Sequence, residues 1–311
     1  MRSLNSRGES VQSEVAPIVV FVYNRPWHTR QTLESLKKNA LASDSDLIIY
    51  ADGAKNSKAT GQVQEVRDYI STLTGFKSIT VVEREQNWGL AANIIDGVTD
   101  VVGRYGMVIV MEDDMVTSPV FLRFMNDALD FYKDEKRVWH ISGWNYPIDT
   151  AGLADAFLWR VMNCWGWATW SDRWAHFEKD ADKLFSEFSS QDRYRFNLDD
   201  NHNFWSQVEL NKSGSINTWA IYWYASIFKV GGLCLGPTQS LVQNIGFDGS
   251  GEHCGSNSTL RVEVSEKAVH ELPSDICEDP EVVSRIKDFL WKSRPGFARR
   301  LAGKLKRSLK R

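Results

Sequence analysis

Apolar positions fall into short continuous runs separated by longer stretches with helical spacing. Residues 18–23 (Ile-Val-Val-Phe-Val-Tyr), 47–51 (Leu-Ile-Ile-Tyr-Ala), 79–83 (Ile-Thr-Val-Val-Glu) and 107–111 (Met-Val-Ile-Val-Met) are rich in β-branched and aromatic side chains. Such runs predict strands, the continuous ones buried on both faces. Between them the spacing predicts helices: one from Pro26 to about Asn39, one over about 63–73, and one over 90–102. The third carries apolar residues at Leu90, Ile94, Val98 and Val101, and the turn Gln86-Asn-Trp-Gly89 precedes it. A fourth helix should start near Ser118, as N-cap, and Pro119. Its stripe is Phe121, Phe124, Met125, Ala128, Leu129 and Tyr132.

The alternation β-α-β-α-β-α-β predicts a parallel, doubly wound α/β sheet flanked by helices. The pattern then loosens into an irregular C-terminal half. A strand is expected over 138–142, mixed-charge helices over 171–212, a helix over 222–230 ended by Gly231-Gly232, and a short strand over 233–235. Residues 244–258 are rich in Gly and Ser and read as a loop. The expected organisation is a flexible lead over 1–16, an α/β half over 17–135, a second half of the same domain over 136–258, an accessory segment over 259–291 and a basic tail over 292–311.

Composition narrows the class. Of 311 residues, 42% are hydrophobic and 25% charged, which suits a globular chain with a substantial core. A net charge of −3 argues against nucleic acid as a partner. The four cysteines form no CxxC pair, and residues 1–15 lack the apolar stretch of a signal peptide. A reduced, cytoplasmic setting is therefore expected. In the tail, Phe297, Leu301, Leu305 and Leu309 recur every fourth residue among Lys and Arg. That pattern suits a basic helix lying on an anionic membrane, here the inner face of the cell membrane. A disordered basic tail is the alternative.

Candidate chemistry concentrates at strand ends. Asn24-Arg25 follows the first strand, Asp52-Gly53 the second, and Glu112-Asp113-Asp114 the run at 107–111. In a doubly wound sheet these ends face one crevice. Three adjacent acids repel one another, and burial penalises their charge, so a hard divalent cation is the simplest compensation. A solvated acidic turn is the alternative for the triplet taken alone.

These motifs resemble the GT-A fold glycosyltransferases, whose mark is an Asp-X-Asp-type motif after a core strand. Among them the chain is similar to the N-acetylglucosaminyltransferase I group and related bacterial enzymes, which carry Glu-Asp-Asp. The resemblance covers about residues 17–255, through Val20-Phe-Val-Tyr-Asn-Arg25, Asp52-Gly53, Met111-Glu-Asp-Asp114, 237–240, Asn244-Ile-Gly246 and Glu252-His253. It implies a GT-A-like, mostly parallel sheet with an acceptor-binding second half, and Mn²⁺ or Mg²⁺ held by Asp114. It implies a UDP-sugar donor contacted by Asn24, Arg25, Asp52, Asn87, Glu112 and Asp113, with Asp52 accepting the uracil imide N–H. It also implies inversion, and an oligosaccharide or lipid-linked glycan acceptor in cell-surface polysaccharide synthesis.

Trp165, Gly166 and Trp167 are the expected acceptor wall, because aromatic rings cover the flat C–H faces of sugars. Trp144, Trp170 and Trp174 are further candidates for it, and a Trp-rich core is the alternative reading of all of them. The base that deprotonates the acceptor is less well marked. In the resembled group it lies in a Trp-Asp-Asp-Trp stretch, and the corresponding residues here are Trp219-Ala-Ile-Tyr222. Asp248 and Glu252, on the Gly-rich loop, are the preferred replacements, ahead of Glu209, Asp199 and Asp200. A nucleotidyltransferase and a non-catalytic glycan-binding protein of the same fold remain as alternatives. The first would want a Gly-rich phosphate loop with a Lys near the N-terminus, where Asn24-Arg25-Pro26 stands instead.

Overall fold

A computed structural model of the chain describes residues 15–249 and 258–294. The first half alternates as the pattern predicts: β1 (Ile18–Val22), α1 (Pro26–Lys37), β2 (Asp46–Ala51), α2 (Thr60–Ser71), β3 (Ser78–Glu83), α3 (Leu90–Tyr105) and β4 (Met107–Glu112). Then come β5 (Met115–Thr117), α4 (Phe121–Phe131) and β6 (Val138–Ser142). The second half holds β7 (Ala156–Trp159), β8 (Trp167–Trp170), α5 (Ser171–Trp174), α6 (Ala181–Glu187), α7 (Ser190–Phe196), α8 (Trp205–Lys212), α9 (Ala220–Lys229), β9 (Leu233–Pro237), β10 (Val242–Asn244) and α10 (Pro280–Lys292).

Eight strands form one sheet in the order β3-β2-β1-β4-β8-β6-β9-β7. The pairs β3/β2, β2/β1 and β1/β4 are parallel, as is β6/β9. The pairs of β8 with β4 and β6, and of β7 with β9, are antiparallel. The fold is thus a mixed α/β sheet flanked by helices. All five residues of β1 are buried, which explains why its sequence is uninterrupted by polar positions. The strand order reverses between β1 and β4, and a crevice opens at such a switch point, beyond the carboxyl ends of the strands.

The second half is more regular than its sequence pattern implies, because β6 to β9 extend the same sheet. α4 also starts later than expected. Ser118 N–H bonds the carbonyl of Leu241 at 2.8 Å, which holds Ser118 extended toward β10, and the helix opens at Phe121. β5 and β10 form a separate antiparallel pair, with Asn244 opposite Met115 and Thr117 opposite Val242. This small sheet carries the segment after β10 up to the end of β4.

Among the described residues, no helix is long and apolar enough to cross a membrane. The expected amphipathic tail lies almost wholly outside the described residues, which stop at residue 294.

Candidate functional site

The crevice encloses about 430 Å³. Its floor is the ends of β1 and β4, with Asn24, Arg25 and Glu112 to Asp114. One side is the segment from Asp52 through Lys55, Lys58 and Gln62, and the other is Asn87 to Asn93 at the start of α3. All six expected donor residues and Asp114 therefore meet in one cavity.

Two of the three acids in this floor share one cation. The Arg25 guanidinium sits between Asp113 and Asp114: Nη2 pairs with Asp113 Oδ1 and, at 2.9 Å, with Asp114 Oδ2, while Nε bonds Asp113 Oδ2 at 3.3 Å. Burial lowers the guanidinium's proton affinity, but the two carboxylates outweigh it and raise the pKa. Burial, together with Asp114 and Asp113, pushes Glu112 up to about 8, against the opposing pull of Arg25. Glu112 keeps some surface open to the crevice. Burial likewise raises Asp114, with Arg25 and His28 working the other way.

Asp114 Oδ1 is buried and has no hydrogen-bond partner, while Oδ2 is taken by Arg25. An orphaned, buried carboxylate oxygen beside two further acids is the donor chemistry a hard divalent cation uses. Among the described residues, no three His, Cys, Asp or Glu side chains are already arranged around a common metal position. The acids present suit such an ion, with Arg25 occupying part of their coordination capacity.

α1 positions these acids along one face. Thr32 Oγ1 donates to the Asp113 carbonyl at 2.8 Å and accepts from Met115 N–H at 3.0 Å. Ser35 Oγ accepts from Thr117 N–H at 3.0 Å, and Asn39 Oδ1 accepts from Leu122 N–H at 2.9 Å. Thr32 and Ser35 lie on one face of α1, and Asn39 follows just beyond its C-terminus. Their side chains satisfy the backbone of 113–122 where no neighbouring strand does. The sequence reading missed this ladder, although polar residues on the apolar side of a helix were a visible signal.

Asp52 has a different role from the one expected. Its carboxylate accepts from Gly53 N–H (2.9 Å), Trp88 N–H (2.8 Å), Gly89 N–H (2.9 Å) and Asn87 Nδ2 (3.0 Å). A carboxylate offers about four lone-pair sites, and here the chain's own groups take that number. Asp52 therefore pins the 86–89 turn at the start of α3 and has no spare acceptor for a uracil imide. Asn87 is part of the same clamp, bonding the Gly53 carbonyl at 2.9 Å as well. Asn24 lines the cavity and reaches Gln62 at 3.5 Å.

The loop after β10 meets the acids directly. Ile245 N–H bonds the Asp114 carbonyl at 2.8 Å. Gly246 packs so closely on Asp114 that an added Cβ would collide with the carboxylate. Asp248 follows, 47% exposed at its side chain, with Oδ2 3.0 Å from His28 Nε2. His28 is buried in the first turn of α1 and was not anticipated. Glu252 lies outside the described residues. Of the other base candidates, Asp199 is paired with Arg160 (3.1 Å) and Lys287 (2.6 Å), a structural role.

The expected tryptophan wall separates into two kinds. Trp167 is a correction: it is 1% exposed in β8, stacked on His140 and Trp219 at centroid distances of 5.3 and 5.1 Å. Trp144, Trp170 and Trp174 are also buried. β8 lies between β4 and β6 inside the sheet, so its whole run Trp167–Trp170 is enclosed. Gly166, at φ +60°, turns the chain into β8; it is itself buried against Val242 and Phe121 and offers no ligand surface. Trp165, on the other side of that bend, is half-buried. It packs edge-on against Trp144 (4.5 Å) and Phe247 (5.4 Å), beside Asp248. Trp27, 59% exposed on the first turn of α1, stands edge-on to His28 at 4.9 Å and was missed.

Comparison with known proteins bears on the first half. Residues 18–138 match the family model described as Glycosyl transferase family 2. Among solved structures, the chain is similar to a mannosyltransferase from Pyrobaculum calidifontis in complex with GDP-Man and Mn²⁺, at 13% identity and TM-score 0.43, covering 71% of this chain and 70% of that one. It is also similar to S. aureus TarS 1-349, at 12% identity and TM-score 0.42, covering 73% of this chain and 59% of that one. TarS 1-349 in complex with UDP-GlcNAc matches over 40% of this chain and 32% of that one, at 19% identity and TM-score 0.30. No curated protein matches the chain.

Proposed function

From the glycosyl transferase family 2 domain carried by residues 18–138, we propose that the chain moves a sugar from a nucleoside-diphosphate sugar to a saccharide hydroxyl. The observation that carries this reading is the orphaned Asp114 Oδ1 in a floor of three acids, facing a cavity of about 430 Å³. That volume falls in the range of ordinary small-ligand sites. Lys55 and Lys58 line the same cavity and favour an anionic ligand. Uracil is the base implied by the sequence resemblance, and with Asp52 saturated it would be selected by other parts of the cavity wall.

Asp114, with Asp113 and Glu112 beside it, would hold a divalent cation. When bound, the cation supplies charge neutralisation to the departing diphosphate. The chain's own residues do the rest. We assign Asp248 to receive the acceptor's proton, a reading supported by its exposure and by its position two residues beyond Gly246, which packs against Asp114. The acceptor oxygen forms its bond to the anomeric carbon as the bond to the diphosphate oxygen breaks, and the hydroxyl proton passes to Asp248. This single displacement inverts the anomeric centre. Trp165 and Trp27 flank Asp248 and its neighbour His28, and they offer faces for the acceptor sugar.

The test is a melting screen of UDP-, GDP- and dTDP-sugars with and without Mn²⁺, in the parent and in Asp114→Asn. Ligand at a hundred times its Kd should add about 2.7 kcal/mol. Stabilisation that needs nucleotide sugar and Mn²⁺ together, and that Asp114→Asn loses, supports the reading. No stabilisation by any nucleotide sugar would remove it. Binding without transfer or donor hydrolysis would point instead to the non-catalytic glycan-binding alternative.

A further inference from the structure

Arg25 does more in this crevice than line it. Its guanidinium occupies both Asp113 and the Oδ2 of Asp114, so it covers the acids that the proposed function assigns to a cation. Its remaining nitrogen, Nη1, is buried with no hydrogen-bond partner, and the side chain is only 16% exposed. A buried guanidinium is stable while it is paired and costly when its partner is removed. A divalent ion entering alone would take Arg25's partners and leave two like charges side by side. A diphosphate entering with the ion provides the anionic oxygens to which the displaced guanidinium can transfer, with its fork geometry matched to phosphate.

The geometry points to Arg25 as an internal counter-cation that excludes a divalent ion from Asp113 and Asp114 until a nucleoside diphosphate is present to receive it. This rests on the donor reading above. Arg25 is then a switch between the acids and the donor, and cation and donor affinities are coupled through it. By linkage each ligand strengthens the other by the same factor. Gly246 contributes to the device: a Cβ there would lie 3.1 Å from Arg25 Nη1 and collide with the Asp114 carboxylate, so only glycine fits against the pair.

The experiment measures Mn²⁺ affinity by electron paramagnetic resonance, without nucleotide and with UDP or GDP, in the parent, Arg25→Met and Arg25→Lys. The parent should bind Mn²⁺ weakly without nucleotide. Arg25→Met should bind nucleotide-free Mn²⁺ about tenfold or more tightly than the parent, because the acids lose their competitor. Arg25→Lys keeps a charge but cannot span both carboxylates, and should fall between the two. Arg25→Met should also melt below the parent and recover on Mn²⁺ alone, a rescue the parent does not show. A role confined to donor contact would leave nucleotide-free Mn²⁺ affinity unchanged. Affinity equal to or weaker than the parent's in either variant therefore overturns the inference while leaving the donor reading intact. Absence of Mn²⁺ binding in all three proteins, with or without UDP and GDP, removes the donor reading and this inference with it.

Discussion

The crevice floor and the surroundings of His140, in the tryptophan cluster of the second half, bury ionisable groups in opposite ways. In the cluster the polar atoms of His140 are matched. Trp223 Nε1 donates to His140 Nδ1 at 3.2 Å, and His140 Nε2 meets the Asn163 carbonyl at 2.9 Å. The ring is wholly buried, and that burial drives its pKa down to about 3 although the carbonyl contact opposes it. The crevice floor keeps an acceptor without a donor and a guanidinium nitrogen without an acceptor. Open polar atoms alone do not mark a site, since Trp144 Nε1 and Trp205 Nε1 in the second half are also buried without partners; the crevice floor differs in that its open atoms belong to charged groups lining a cavity. Chemical type alone does not separate them, since the sequence marked tryptophans and carboxylates equally as candidates.

Truncation of Trp167 tests the cluster most severely. Trp167→Ala should cost about 3–5 kcal/mol in denaturant unfolding, as a large buried aromatic does. A loss below about 1 kcal/mol would show that Trp167 is not packed as described. The pH profile comes next. His140 is held neutral, so its folded pKa lies below the unfolded value of about 6.5. Between those values the unfolded chain binds more protons, and stability must fall as pH drops from about 6.5 toward 3. Urea melts of His140→Gln should show a shallower loss over that window than the parent, and an equal slope would count against a buried neutral ring. The smallest effect belongs to the residue that joins the two regions. Trp165→Ala should cost about 1 kcal/mol of stability, and should raise KM for a saccharide acceptor roughly tenfold with kcat little changed. An unaltered KM would return Trp165 to the core.

The first half was legible because β1, β2 and β4 are continuous apolar runs, and because Arg25, Asp52 and Glu112 to Asp114 follow those runs closely. β1, β2 and β4 ended within one residue of the predicted positions. The second half was less legible for a physical reason. β7 and β8 are four residues each, too short to show a period, and their burial depends on neighbours far away in sequence. The pairing of β5 with β10 brings Met115 opposite Asn244, and a pair of three-residue strands leaves no local signature. That contact is what places Gly246 on Asp114 and brings Asp248 close to His28. Trp165 and Trp167 were read together because only Gly166 separates them, yet its positive φ sends the two rings into different surroundings. The family match likewise ends at residue 138, at the start of the second half.

The saturation of Asp52 bears on how donor preference can diverge. A carboxylate already committed to four bonds within its own chain is held in place by the 86–89 turn, whatever nucleotide the cavity accepts. The wall beside it, Lys55, Asn56 and Lys58, is exposed, and the Asn56 side chain accepts from the Lys58 and Ala59 N–H groups of its own turn. Substitutions there can retune the base without unsettling the start of α3. Chains of this architecture could therefore exchange one nucleotide for another while Asp52 stays fixed, its identity recording the demands of folding and not the history of the substrate.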